Sequence, residues 1–212
     1  MHGVVLEVAF MTFDWQSFRA RHERLVVALM ALKRLRIRVA IIVVPLCVID
    51  QIYFREAPFD LDQLNSWVVI GFVSIVGGTL IRAAALGQIV KREALATSGA
   101  YSMCRHPLYL GSLLIALGFC ILLRDLSTDL IVASYFLTFY PLTIAWEEIE
   151  LEKRYGEAHR AYCACVPLLL PLGRLQWNGW SWRCAIRNGG FAMLLTEGVV
   201  LVGIEVMAEV LR

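Results

Sequence analysis

Long apolar stretches separated by short polar ones are the feature that most restricts how this chain can fold. The hydrocarbon core of a bilayer is about 30 Å thick and is crossed by about 20 helical residues, or somewhat fewer where the bilayer thins. Stretches of this kind occur at residues 37–54, 67–87, 108–123, 130–146 and 190–210. Because 59% of all residues are hydrophobic, a single soluble core could not bury them. We therefore predict an all-α fold, a polytopic membrane helical bundle with about five transmembrane helices.

The later apolar segments differ in how strongly they predict a span. Segments 108–123 and 130–146 are separated only by the polar turn 124–129, which predicts a tight helical hairpin. The last segment is interrupted by Glu197, Glu205 and Glu209. Carboxylates are costly inside a bilayer, so this segment either spans the membrane or lies on its surface as a helix.

Basic residues are concentrated in alternate connecting segments. They cluster before the first apolar segment, between the second and third, and after the fourth, whereas the other two loops hold only Arg55 and Arg124 beside acidic residues. Lys and Arg favour cytoplasmic loops. We therefore expect a multi-pass integral membrane protein with a cytoplasmic amino terminus, and with the carboxyl terminus outside if all five segments span.

The amino-terminal residues 14–38 carry apolar side chains at near-helical spacing with arginines between them. This pattern predicts an amphipathic interfacial helix, or equally a helix docked against the cytoplasmic face of the bundle. The first 13 residues lack the positive-then-apolar order of a secretory signal, so we expect no cleavage.

Charge and cysteine content argue against two classes of partner. The chain has 20 basic and 18 acidic residues, a net charge of +2, which gives no reason to expect nucleic acid. The 6 cysteines form no C-x-x-C pair and have no histidine at zinc-finger spacing, so no metal is expected.

Two polar segments on the predicted cytoplasmic side carry groups able to bind a charged, nucleotide-like ligand. The first, residues 99–111, has the sequence GAYSMCRHPLYLG, in which Pro107 suits the first turn of a helix and Arg105 offers a fork of donors. The second, residues 147–162, opens with Glu147 and Glu148 where an apolar segment ends. Carboxylates at that depth need a partner.

At these two segments the sequence resembles the isoprenylcysteine carboxyl methyltransferase family and its prokaryotic and phospholipid methyltransferase-like relatives. That family carries a G-x-Y-x-x-x-R-H-P-x-Y-x-G run, then a membrane hairpin, a Glu-Glu pair, and an aromatic-Gly-Glu sequence followed by tyrosine. The last of these correspond here to Tyr155, Gly156, Glu157 and Tyr162. The resemblance covers about residues 88–171, and it implies a membrane methyltransferase that uses S-adenosylmethionine and acts on a lipid-linked, prenylated or otherwise apolar acceptor.

The resemblance also implies a cofactor pocket at the cytoplasmic face, formed by the two segments together. The positions that it carries over as S-adenosylmethionine contacts are Glu93, Ala94, Leu95, Ala96, Tyr101, His106, Pro107, Leu108, Tyr109 and Glu147. Arg105 and Glu148 are the candidates for a catalytic role. A carboxylate acceptor needs no general base, whereas an amine acceptor does, and Glu148 or His106 would then be the candidates.

The chain departs from the family at several positions. Eukaryotic members have an arginine, attributed to binding the prenylcysteine carboxylate, where this chain has Thr143; Glu93 replaces a frequent histidine, and His159 replaces a tyrosine. Two alternatives therefore stay open. A membrane reductase using NADPH shares a similar motif but usually has an acid where Ser112 stands here, and a non-catalytic membrane scaffold would keep the fold without turnover.

We predict a single domain over residues 1–212. It comprises an interfacial segment at 1–36, a cofactor-binding core at 88–171 and a carboxyl-terminal extension at 172–212 with a last membrane helix.

Overall fold

A computed structural model describes residues 65–89 and 94–211, together with the single positions 35, 39 and 42; at 204, 205 and 207–211 it describes the backbone alone. Within these ranges the chain is all-helical and contains no β-strand. The helices are α1 Ser66–Leu86, α2 Ala100–Met103, α3 Pro107–Leu123, α4 Leu126–Tyr155, α5 Glu157–Cys165, α6 Trp182–Arg187 and α7 Gly190–Leu211.

Two helices of the described ranges are long and apolar enough to cross a membrane. They are α1, with 21 residues and a mean hydropathy of 2.0, and α4, with 30 residues and a mean hydropathy of 1.3. Helix α3 and the Gly190–Gly203 part of α7 are shorter apolar helices. The prediction of an all-α fold is therefore confirmed for the described residues, in which four of the five apolar segments are helices. Two of these helices are candidate membrane spans, and the five-span bundle stays a prediction. Segment 37–54 and the predicted interfacial helix 14–38 lie outside the described residues, apart from the single positions named above.

The predicted polar turn 124–129 is wrong in its extent, because α4 begins at Leu126. Asp125 is the N-cap of α4, and its side chain accepts a hydrogen bond from the backbone N–H of Thr128 at 2.6 Å. An N-cap side chain of this kind satisfies a donor that the first helical turn leaves open, so the helix can start directly after it. The connection between α3 and α4 is thus reduced to Arg124 and Asp125.

Helices α1 and α3 pack closely through glycines spaced seven residues apart on each helix. A Cβ at Gly78 would lie 2.5 Å from the carbonyl oxygen of Gly111, and one at Gly118 would lie 2.6 Å from the carbonyl oxygen of Gly71. Small residues allow two backbones to approach this closely, which is a frequent way for membrane helices to associate. The pairing of early residues on α1 with late residues on α3 makes the two helices antiparallel.

Helices α3 and α4 are joined by their short connection and meet again far from it, where Tyr109 of α3 contacts Tyr140 and Glu147 of α4. Between them, and bounded by Trp67 at the start of α1, lies an apolar groove of about 820 Å³. Its wall is formed mainly by apolar side chains of α3 and α4, among them Leu113, Leu117, Ile121, Val132, Phe136 and Leu137. We call this space the α3–α4 groove.

Two side chains of helix α7 contact polar groups of α1. Thr79 of α1 donates a hydrogen bond to Glu197 at 2.7 Å, and Nε of Arg82 contacts the sulfur of Met193 at 3.0 Å. The carboxylate of Glu197 therefore has a partner within the bundle.

Candidate functional site

The backbone of the first motif is fixed by the chain that follows α5. Backbone N–H groups of Arg105 and His106 donate to the carbonyls of Pro167 and Leu168 at 2.8 and 3.1 Å. The hydroxyl of Tyr162 donates to the carbonyl of Tyr101 at 2.6 Å. These bonds bring the two sequence motifs side by side, because α5 and the chain after it lie against the first motif.

Gly99 occupies a position that only glycine fits without strain. Its φ is +58°, and a Cβ there would lie 1.5 Å from the side-chain nitrogen of Gln88. The side-chain oxygen of Gln88 accepts a hydrogen bond from the N–H of Ala100 at 3.0 Å, at the start of α2. A left-handed glycine therefore lets Gln88 support the turn that carries Tyr101.

A cavity of about 430 Å³ lies between the two motifs. Most of the positions predicted as cofactor contacts line it, namely Ala94, Leu95, Ala96, Tyr101, His106, Leu108, Tyr109 and Glu147. Pro107 is buried at the start of α3 and does not line the cavity, and Glu93 lies outside the described residues. The structure thus gathers eight of the ten positions around one cavity, while their contact with a cofactor stays a prediction.

Three polar side chains converge at one wall of the cavity. The hydroxyl of Tyr109 donates to Oε1 of Glu147 at 2.7 Å, and Nδ1 of His106 lies 3.8 Å from Oε2 of the same carboxylate. The rings of His106 and Tyr109 meet edge to face with centroids 5.7 Å apart. Glu147, whose side chain is 36% exposed, is therefore held in place while remaining reachable from the cavity.

The second glutamate of the pair lies behind this wall, in a buried polar network. Glu148, with a side-chain exposure of 1%, accepts hydrogen bonds from Nη1 of Arg105 and interacts with Nε2 of His106 at 2.8 Å. Arg105 also lines the cavity, and its Nε and Nη2 have no hydrogen-bond partner within the described residues. Of the two catalytic candidates, Arg105 reaches the cavity and Glu148 does not.

Next to this network, His159 and Cys163 complete a buried group of potential metal ligands. One ligand atom each from Glu148, His159 and Cys163 lies within 4.8 Å of the others. However, Nη1 of Arg105 bonds to Glu148 and lies 3.0 Å from the sulfur of Cys163, so a permanent positive charge stands where a cation would bind. Burial, the largest effect, lowers the pKa of His159 and raises that of the Cys163 thiol to about 12. The group is best described as a hydrogen-bonded core that supports His106 and Arg105.

Besides Arg105, five residues line the cavity that were not among the predicted contacts: Ile89, Leu151, Arg154, Tyr155 and Tyr162. Leu151 and Tyr155 follow Glu147 at helical intervals of four and eight positions along α4. Residues at such intervals share one face of a helix, so this periodicity could have identified them. Burial raises the pKa of both Tyr101 and Tyr162 above the usual phenolic value, which keeps these tyrosines neutral donors.

Comparison with known proteins shows which families this chain resembles. The phospholipid methyltransferase family matches residues 66–158, which include α1 to α4 and every residue that lines the cavity except Tyr162. The chain is 32% identical over 127 residues to the protein-S-isoprenylcysteine O-methyltransferase of Xenopus laevis, a match that covers 53% of this chain and 43% of that protein. The mouse protein of the same name is 29% identical over 124 residues, covering 53% of this chain and 44% of its own length.

A bacterial relative has a different name. The cobalt-zinc-cadmium resistance protein CzcN of Cupriavidus metallidurans is 30% identical over 119 residues, covering 56% of this chain and 54% of that protein. This chain therefore spans about half the length of the curated relatives it matches. No solved structure matches it. The predicted resemblance to the isoprenylcysteine carboxyl methyltransferase family, with its phospholipid methyltransferase-like relatives, is confirmed.

Proposed function

We propose that this protein is an integral membrane methyltransferase that transfers a methyl group from S-adenosylmethionine to a lipid-linked or apolar acceptor. The observation that carries the proposal is the cavity between the two family motifs, at whose wall Tyr109, His106 and Glu147 meet. Its volume of about 430 Å³ lies within the usual range of small-molecule sites.

The chemistry of the cavity wall suits this cofactor. Two buried nitrogens of Arg105, Nε and Nη2, have no hydrogen-bond partner in the described residues, and their N–H groups fit the carboxylate of the methionine moiety. Glu147 can accept hydrogen bonds from the amino group or the ribose hydroxyls, and the rings of Tyr101 and Tyr155 can flank the adenine or approach the sulfonium. S-adenosylmethionine would supply the methyl group, while these residues would orient it and exclude water.

The α3–α4 groove supports an apolar acceptor. Phe136 lines the groove and packs on Tyr140 with centroids 4.2 Å apart, and Tyr140 meets Tyr109 edge to face at 5.0 Å. Aromatic side chains therefore connect the apolar groove to the polar wall of the cavity. A hydrocarbon chain in the groove would leave its head group beside Tyr109 and Glu147.

The activity can be tested with purified protein in lipid vesicles. We expect transfer of a labelled methyl group from S-adenosylmethionine to a component of a total membrane lipid extract. Glu147→Gln should abolish most of the transfer, whereas Glu150→Gln, on the same helix but outside the cavity, should leave it unchanged. If the parent transfers no label to any lipid and binds no S-adenosylmethionine, the proposed function is wrong.

We further propose that the protein is multi-pass and that the cavity faces the cytoplasm, as the distribution of basic residues indicates. Ser127 and Glu157 are exposed and lie near opposite ends of α4. In a cysteine-free background, a membrane-impermeant thiol reagent added outside intact cells should label Ser127→Cys and not Glu157→Cys. The reverse pattern would contradict this orientation.

A further inference from the structure

We propose that His106 is a general base that removes a proton from an amine acceptor, and that Glu148 positions it. This inference rests on the proposed function and narrows it, because it selects an amine over a carboxylate as the methylated group. The observation behind it is that the ring of His106 lies between Glu147 and Glu148, with one ring nitrogen near each carboxylate.

The hydrogen bonds of Glu148 determine which ring nitrogen of His106 carries the proton. One oxygen of Glu148 accepts from Arg105, a permanent cation, and the other lies 2.8 Å from Nε2 of His106. A carboxylate held in an ion pair can only accept hydrogen bonds. Nε2 must therefore donate, and the neutral imidazole keeps its lone pair on Nδ1.

Nδ1 is the ring nitrogen of His106 that faces Glu147. It lies 3.8 Å from Oε2 of Glu147, and both His106 and Glu147 line the cavity. The charged and titratable side chains around the ring are Arg105, Tyr109, Glu147, Glu148 and His159. Because Glu148 is buried and ionised on the far side of the ring, it would stabilise the imidazolium that forms when Nδ1 takes a proton.

Next to Nδ1 of His106, the cavity wall favours an ammonium group over a carboxylate as the acceptor. Two cations also line the cavity, but Arg105 is paired with Glu148 and Arg154 lies two turns beyond Glu147 on α4. Glu147 offers a negative charge next to Nδ1, which would attract an ammonium group and repel a carboxylate. Thr143 is 1% exposed, and its hydroxyl donates to the carbonyl of Phe139 at 2.6 Å, so this position offers no cation to a carboxylate. Removal of a proton is needed for an ammonium acceptor and would serve no purpose for a carboxylate.

The step balances as follows in atoms and charge. The acceptor ammonium gives a proton to Nδ1 and becomes an amine with a free electron pair. That pair forms a bond to the methyl carbon while the carbon–sulfur bond breaks, and the bonding pair stays on sulfur as a neutral thioether. The product is a methylated ammonium, and His106 returns its proton to water.

The test compares three acceptors in phosphatidylcholine vesicles: phosphatidylethanolamine, the same lipid with an alkoxyamine in place of the amine, and an S-prenylcysteine with a free carboxylate. The alkoxyamine is unprotonated at neutral pH and needs no base. We expect the parent protein to methylate both nitrogen acceptors and not the carboxylate. His106→Gln should lower the ratio of amine to alkoxyamine methylation by about 10²-fold, whatever it does to cofactor binding.

Glu148→Gln should lower kcat for the amine more than for the alkoxyamine and leave KM for the lipid unchanged. The matched control is Glu152→Gln, one turn further along α4, where a buried carboxylate pairs with Arg160 away from the cavity. This control should leave the ratio unchanged.

The outcomes separate this inference from the proposed function. Binding of S-adenosylmethionine with methylation of the carboxylate alone, or of none of the three acceptors, overturns the inference and leaves cofactor binding standing. An unchanged amine-to-alkoxyamine ratio in His106→Gln also overturns it. Failure to bind S-adenosylmethionine at all contradicts the proposed function itself.

Discussion

The guanidinium of Arg105 donates a hydrogen bond to the carboxylate of Glu148, although the two residues are 43 positions apart in the chain. Their side chains are only 2% and 1% exposed. The pair joins the first motif to α4 and so holds together the two walls of the cavity. A buried ion pair of this kind matters most when one partner is removed, because the other charge is then left without compensation.

Loss of this pair should therefore lower the free energy of unfolding more than loss of a partly exposed ion pair. We expect Glu148→Ala to reduce the free energy of unfolding by about 3–5 kcal/mol. Glu157, which pairs with Arg160, has a side chain that is 85% exposed, so Glu157→Ala should cost at most about 1 kcal/mol. Denaturant titration in detergent micelles measures both, and equal losses in the two variants would show that the Arg105–Glu148 pair has no special role.

The close approach of α1 and α3 gives a second prediction, with a matched control one position away. Gly78→Ala would place a Cβ 2.5 Å from the carbonyl oxygen of Gly111, whereas nothing lies within 4 Å of a Cβ at Gly77. We expect Gly78→Ala to lose about 1–3 kcal/mol of stability because the helices must separate. Gly77→Ala should be neutral or slightly stabilising, since alanine favours a helix. Similar thermal unfolding temperatures for the two variants would contradict the packing described for α1 and α3.

Thiol reactivity should follow burial. Burial raises the pKa of Cys104 to about 11 and that of Cys163 to about 12, whereas Cys165 is exposed. Only the thiolate reacts, so at about pH 8 alkylation should modify Cys165 rapidly and spare Cys104 and Cys163. Peptide mass spectrometry after timed alkylation measures this, with denatured protein as the control in which all three react.

The same shifts predict how stability depends on pH. Each folded-state pKa lies above the ordinary thiol value of 9.0, so the protonated thiols favour the folded state. This contribution is fully present below the ordinary value and is lost as pH rises towards 11 and 12. In Cys163→Ala, the free energy of unfolding should fall less steeply with pH in that alkaline range. If the variant and the parent show the same dependence of unfolding free energy on pH, the raised pKa of Cys163 is contradicted.

The convergence of the two motifs could be predicted from the sequence, but the separate positions of Glu147 and Glu148 could not. Both were expected near the cofactor, yet adjacent residues of a helix point in different directions, and only Glu147 lines the cavity. Which of the two faces the cavity depends on how α4 is rotated against α3. That rotation is set by packing between the helices, and the residues of the motif do not predict it.

The start of α4 could have been predicted from the sequence, whereas the backbone hydrogen bonds of the first motif could not. Aspartate is a frequent N-cap residue, so Asp125 could have predicted that α4 begins at Leu126. The polar composition of residues 124–129 favoured a longer turn instead. The backbone bonds from Arg105 and His106 to Pro167 and Leu168 had no such signal, because every residue except proline offers the same backbone donor. Such pairing depends on tertiary structure rather than on side-chain pattern.

Binding of S-adenosylmethionine to the purified protein tests the central claim most directly. Calorimetric titration in detergent should show saturable binding, no comparable binding of NADPH, and weaker binding by about tenfold or more in each of Tyr101→Ala, His106→Ala and Glu147→Ala. Glu150→Gln should bind like the parent. Binding of NADPH instead would favour a reductase, binding of neither would favour a scaffold, and binding of S-adenosylmethionine with undiminished affinity in all three alanine variants would contradict the cavity as the cofactor site.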